Sequence, residues 1–173
     1  MMTTRRLVPA LLLALVGQSH AQEPQPASSP ALQKATAKAK VHNQRVLVIL
    51  AAEDQDLAAA LKKDRTLSRP LLYEFETVQL TGEAADAMAV AHKMPEALQD
   101  KPALLVLDAD GKVLAKLARD SFRPDGKLAG GQLLDLLKPH FAAPVDAEQK
   151  LAAALAQGKQ DGRAVFIRFD APW

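Results

Sequence analysis

Cysteine is absent from this 173-residue sequence. Its absence excludes disulfides, thiolate nucleophiles and cysteine-based metal centres from the chain. Aromatic residues are scarce at 4%, with five Phe, one Tyr and one Trp, and no excess of charge of one sign is present either. The 22 Lys and Arg face 20 Asp and Glu, and setting aside Arg5 and Arg6 (22 minus 2) leaves 20 against 20. A neutral chain with few rings lacks both the basic field and the stacking platforms that nucleic-acid binding uses. Long apolar runs are missing too. The N-terminal run Leu7 to Val16 falls far short of the roughly 20 residues that span hydrocarbon, so no stable membrane anchor is expected. What is present, 49% hydrophobic and 24% charged residues, suits one globular domain of ordinary size with room for a fragment of another.

The N-terminus joins Arg5 and Arg6 to that short apolar run and then to Gly17-Gln18-Ser19-His20-Ala21. Positive, apolar and small-residue regions in this order read as a secretory signal over residues 1–21, cut after Ala21, and predict a periplasmic or secreted protein. Gln22 to Pro30 holds three Pro and two Ser without apolar periodicity, which reads as an extended linker. Folding is expected to begin near Ala31.

Leu32, Ala35 and Ala39, with His42 as a further candidate, fall at helical spacing while Lys34, Lys38 and Lys40 point elsewhere, so an amphipathic helix is predicted. Arg45 to Ala51 (RVLVILA) is a continuous aliphatic run of the kind buried on both faces of a sheet. Glu53 to Arg65 returns to helical spacing through Leu57, Ala58 and Leu61. Leu71 to Leu80 is read as a strand, Glu83 to His92 as an Ala-rich helix, and Pro95 as its breaker. Ala103 to Leu107 (ALLVL) is a second apolar strand. Asp108-Ala109-Asp110-Gly111 turns it into a hairpin with Lys112 to Ala118, and Gln132 to Phe141 supplies a last helix. Helices alternating with strands in this way predict an α/β layered fold.

The stretch Lys101-Pro102-Ala103-Leu104-Leu105-Val106-Leu107-Asp108-Ala109-Asp110-Gly111-Lys112-Val113 resembles the second half of a thioredoxin domain. The resemblance implies a thioredoxin-like three-layer α/β/α fold with a mixed central sheet over residues 31–143. It also implies a cis Lys101–Pro102 bond facing the redox motif. A partial repeat follows. Asp146 to Gln160 has the character of Ala31 to Gln44, and Arg163 to Phe169 (RAVFIRF) that of Arg45 to Ala51, with Arg163 lying 118 positions after Arg45 (163 − 45). Residues 146–173 are therefore read as the truncated start of a second unit, a C-terminal helix-strand fragment. Phe169-Asp170-Ala171-Pro172-Trp173 resembles the segment that directly precedes Cys-x-x-Cys in thioredoxins and protein disulfide isomerases, so Ala171, Pro172 and Trp173 are motif-flanking positions.

Two departures from the family bear on mechanism. An acidic residue is usual there five positions before that Trp, where this chain has Arg168. In the first unit, an offset of 118 puts the motif on Asp56, Leu57, Ala58 and Ala59, none of which is a thiol. A helix start that stabilises a thiolate in redox thioredoxins here carries Glu53, Asp54 and Asp56, so the first unit reads as redox-silent, with Asp54 as a helix N-cap.

Other candidates carry less. His42, His92 and His140 share no ligand spacing, the Asp108 to Gly111 tetrad lacks the downstream ligands of a calcium loop, and no metal or cofactor is expected. Glu74 and Glu76 are expected to share a wet strand face. Ser28, Ser29, Ser68 and Ser121 lie in no nucleophile elbow, and Gly130-Gly131 is a helix-start turn rather than a phosphate loop. Two functions remain: an exported protein whose second unit performs thiol-disulfide exchange on proteins, or a non-enzymatic periplasmic adaptor that holds extended peptides beside Pro102.

Overall fold

The computed structural model describes residues 29–51, 57–95, 97–99 and 102–167. The segment read as a signal, most of the expected linker, Ala52 to Asp56, Lys101 and Arg168 to Trp173 lie outside the described residues.

The first helix, α1 (Pro30–His42), starts one residue inside the expected linker. Ser29 is its N-cap, accepting from the Leu32 N–H at 3.2 Å, and Pro30 occupies the first turn, where its missing N–H costs nothing. Asn43 closes the helix in the left-handed conformation, a position that Asn tolerates better than most residues. Leu32, Ala35 and Ala39 are buried as expected, whereas His42 is exposed and leaves the apolar face.

The chain then enters β1 (Arg45–Leu50), whose side chains from Val46 onward are all buried. It runs parallel to β2 (Phe75–Leu80) and antiparallel to β3 (Ala103–Leu107), which pairs antiparallel with β4 (Val113–Leu117). Sheet order is β2-β1-β3-β4, with β1 inside the sheet and β2 and β4 at its edges.

Alternation along the central strands builds two cores. Leu47 and Ile49 of β1 and Leu104 and Val106 of β3 face α2 (Leu57–Lys63), α3 (Ser68–Glu74) and α5 (Gly130–Leu137), with Phe122 fully buried among them. Val46, Val48 and Leu50 of β1 and Ala103, Leu105 and Leu107 of β3 face α1 and α4 (Gly82–Ala91). Each such Leu or Val contributes about 1.5–3 kcal/mol by leaving water. The result is the expected three-layer α/β/α arrangement around a mixed sheet.

The region before β2 departs from expectation. Leu71 to Glu74 is helical, and only Phe75 to Leu80 is strand. Leu71 turns inward while Leu72 and Tyr73 stay exposed, which is a short amphipathic helix docked through one buried leucine. Glu74 thus ends a helix and Glu76 lies in a strand, so they share no strand face, and Glu76 instead meets Lys38 at 3.0 Å. The hairpin turn is as read: Asp108 Oδ1 accepts from the N–H groups of Asp110 and Lys112 at 3.0 and 2.9 Å, and Gly111 takes φ +88°. Two residues of β4 oppose one step of β3 near Val106 and Leu107, a bulge that bends this edge.

Beyond α5 the chain is tied back to the α1–β1 corner, where Asn43 donates to the Ala143 carbonyl at 2.9 Å and Arg45 to that of His140 at 3.2 Å. A final helix, α6 (Ala147–Asp161), follows with Asp146 as its N-cap. Of its residues only Gly158 is buried. Arg163 to Ile167, expected as part of a strand, is assigned to no strand, and Phe166 is 91% exposed.

Candidate functional site

The register places the end of β1 beside the start of β3. Leu50 pairs with Ala103, so one further antiparallel step sets Ala51 opposite Pro102. On the other flank of β3, Leu104 pairs with Leu117 at the end of β4. The strand end that leads toward α2 and the proline that opens β3 therefore share one end of the sheet. The Lys101–Pro102 peptide bond itself lies outside the described residues.

The first turn of α2 carries no reactive group. Leu57 is buried in the core with Leu61, Ala58 packs against the same cluster, and Ala59 is half-buried. Asp56, Glu53 and Asp54 lie outside the described residues, as do Arg168, Ala171, Pro172 and Trp173. Among the described residues no cluster of His, Asp or Glu is arranged to hold a metal ion. Nor, among them, is any helix long and apolar enough to cross a membrane.

Helices α1 and α6 stop in the same way. At the end of α1, Asn43 is left-handed with φ 54°, its N–H bonds to the Ala39 carbonyl, and the Gln44 N–H reaches the same oxygen at 2.8 Å. At the end of α6, Gly162 is left-handed with φ 64°, its N–H bonds to the Gly158 carbonyl, and the Arg163 N–H reaches that oxygen at 2.8 Å. The two helix stops share their left-handed residue and their hydrogen-bond pattern. A Cβ on Gly158 would lie 2.8 Å from Val165 Cγ2, because the chain folds back over this glycine.

Aligning the chain on the two helix stops would set residues 119 positions apart (158 − 39 and 162 − 43), beside the 118 read from Arg45 and Arg163. At 119, Leu151, Ala154 and Gly158 fall on Leu32, Ala35 and Ala39, the buried face of α1. A one-residue change of offset inverts which strand residues face which layer. An offset of 119 would pair Val165 with Val46 and Phe166 with Leu47 and would set the motif-equivalent positions at Gln55, Asp56, Leu57 and Ala58, where 118 sets them at Asp56 to Ala59.

Sequence reading also missed a groove of about 300 Å³ where α3 meets the edge strand β2, walled by Leu71, Leu72 and Phe75 with Lys62, Glu76 and Thr77 at its rim.

No family model matches this sequence, and no curated protein does. Solved structures that resemble it include the crystal structure of a disulphide isomerase from Xylella fastidiosa Temecula1. That structure is 17% identical, with a TM-score of 0.49 over 69% of this chain and 97% of the other. The chain's own strand order, its parallel β1–β2 and antiparallel β1–β3–β4 pairings and its two helical layers make its fold thioredoxin-like.

Proposed function

We propose that this chain is an exported thioredoxin-like protein in which residues 31–143 form a redox-silent unit and α6 opens a second unit. On this reading thiol-disulfide exchange belongs to the second unit of a longer protein, after Trp173. An attacking thiolate there opens a substrate disulfide through a mixed-disulfide intermediate, and a second thiol releases the reduced substrate. Proteins and peptides carrying disulfides are the substrate class, and no bound cofactor is needed.

The observation that carries the reading is the repeated helix stop, with Leu151, Ala154 and Gly158 on the positions of Leu32, Ala35 and Ala39. An α1-like helix with its apolar face unpaired, followed by a β1-like sequence and then Ala-Pro-Trp, supports the start of a second copy. The lack of any thiol at the equivalent place in the first unit supports division of labour between the two. The first unit then serves as a structural or peptide-holding partner beside Pro102.

Reading the coding DNA past Trp173 tests this. An in-frame Cys-x-x-Cys directly after Trp173 is expected. A native stop codon there removes the exchange reading and leaves the peptide-holding adaptor, which titration of an isotope-labelled chain with extended peptides would then examine at Pro102 and Ala51.

A further inference from the structure

We infer that Arg119 and Arg123, in the loop between β4 and α5, hold the carboxylate of an acidic side chain on an extended peptide lying at the Pro102 end of the sheet. This site rests on the peptide-holding reading of the first unit and is independent of any thiol chemistry.

The loop is closed on itself and anchored in the core by Phe122, which is fully buried. The Arg123 N–H donates to the Arg119 carbonyl at 2.8 Å, the Gly126 N–H to the Arg123 carbonyl at 3.1 Å and the Ala129 N–H to the Phe122 carbonyl at 2.9 Å. Asp125 and Gly126 are both left-handed, with φ 54° and 78°, so the chain reverses in one tight turn. Arg119 lies over that turn, its Nη2 3.4 Å from the place a Cβ on Gly126 would take. Two arginines four positions apart are thus carried on one folded loop.

Neither arginine is well answered. Arg119 meets Asp120 at 3.5 Å, and that carboxylate is 91% exposed, a pairing that water and salt weaken. Arg123 is half-buried, and its Nε is sealed from water without a hydrogen-bond partner. Among the described residues it is the one buried side-chain nitrogen or oxygen left in that state. Other cations of the body find acceptors: Arg45 donates to the His140 carbonyl, Lys116 to that of His92 and Lys38 to Glu76. A donor removed from water and left unbonded raises the free energy of the empty site. A carboxylate takes Nε and one Nη side-on through two parallel hydrogen bonds. One that draws the Arg123 guanidinium toward the loop surface therefore satisfies the orphaned donor, with Arg119 as a second positive charge.

Placement favours a peptide as the carrier of that carboxylate. Strand β4 ends at Leu117, opposite Leu104, so the loop leaves the sheet at the end where Pro102 opens β3. The loop carries Arg119, Arg123 and Lys127 against Asp120 and Asp125, which makes its field positive and steers acidic segments toward it. An extended peptide beside Pro102 draws affinity from its main chain and selectivity from side-chain pockets, and a pair of arginines at one flank selects for an acid.

The nitrogen-15 full chain is titrated with a short extended peptide, blocked at both ends, that carries one central Glu, and with its twin carrying Gln. The Glu peptide is expected to bind about tenfold tighter, because a hydrogen bond to a charged group outweighs its neutral counterpart. It should also move the Arg123 Nε–H resonance, which the Gln peptide leaves in place. Arg123→Gln is expected to remove the preference and Arg123→Lys to keep little of it, since an ammonium has no fork. Arg119→Gln should reduce it. The amide spectrum checks the fold of each variant, and the Arg123 resonance of the unaltered chain decides the matter even where a variant unfolds. Equal affinity of the two peptides, with shifts at Ala51 and Ala103, overturns the inference and leaves the peptide-holding reading standing; binding of neither overturns both. A preference that survives Arg123→Gln and Arg119→Gln overturns the inference, as does acetate alone moving the Arg123 resonance as far as the Glu peptide at equal concentration. So does an Arg123 resonance that shifts in the peptide-free chain on Glu53→Gln, Asp54→Asn and Asp56→Asn, the sign of a chain that fills the site itself.

Discussion

Two adjacent glycines at the start of α5 are expected to respond to alanine with opposite signs. A Cβ on Gly130 would sit 2.5 Å from both carboxylate oxygens of Asp64 and 2.7 Å from its Cγ. Real Cβ atoms do not approach so closely, so the carboxylate must move. Asp64 Oδ1 accepts from the Thr66 and Leu67 N–H groups at 2.9 and 3.1 Å, and these bonds hold the turn between α2 and α3. Hydrogen bonds to a charged acceptor are worth about 1.5–3 kcal/mol each, and weakening the pair outweighs the gain of about 1 kcal/mol that Ala brings to a helix. Gly130→Ala is therefore expected to destabilise by about 1–2 kcal/mol net. At Gly131 nothing lies within 4 Å of the added methyl, so Gly131→Ala is expected to stabilise by about 0.5–1 kcal/mol. Urea unfolding followed by circular dichroism measures both, and a double-mutant cycle isolates the cause. In an Asp64→Ala background the penalty of Gly130→Ala should largely disappear. A stabilising Gly130→Ala, or a penalty unchanged by Asp64→Ala, refutes the reasoning.

Further outcomes follow from burial and capping. Phe122→Ala empties a fully buried site between the sheet and α5 and is expected to cost about 3–5 kcal/mol in the same unfolding assay. Asp146→Ala removes the acceptor of the Glu148 and Gln149 N–H groups and is expected to loosen α6 by about 1 kcal/mol, read as faster amide hydrogen exchange along that helix. The same variant should leave the urea midpoint of the body unchanged, because α6 contributes almost nothing to either core.

The parts of the fold legible from sequence were those with one dominant cause. VLVIL and ALLVL read as buried strands because an uninterrupted aliphatic run has no wet face, and both lie fully inside the sheet. Asp108 and Gly111 read as a turn because the side-chain acceptor and the positive φ are local properties. Leu71 to Glu74 was misread because a short helix docked through one leucine leaves almost no periodicity, and its neighbour β2 is an edge strand with only its end residues fully buried. The juxtaposition of Pro102 with Ala51 is a matter of register between strands some 50 residues apart in sequence, which no local pattern encodes; it was approached only through resemblance.

The central claim is that the first unit keeps the thioredoxin disposition around Pro102 and lacks only sulfur. It is tested most directly by placing cysteines at Gln55 and Ala58, the positions assigned by the 119-residue offset, in a chain that contains no other thiol. The account predicts that Gln55→Cys with Ala58→Cys closes an intramolecular disulfide on oxidation, seen by intact mass and loss of free thiol. That pair should also accelerate reduction of a protein disulfide by dithiothreitol relative to the cysteine-free chain. Cysteines that stay reduced, or that oxidise only between molecules, would contradict it.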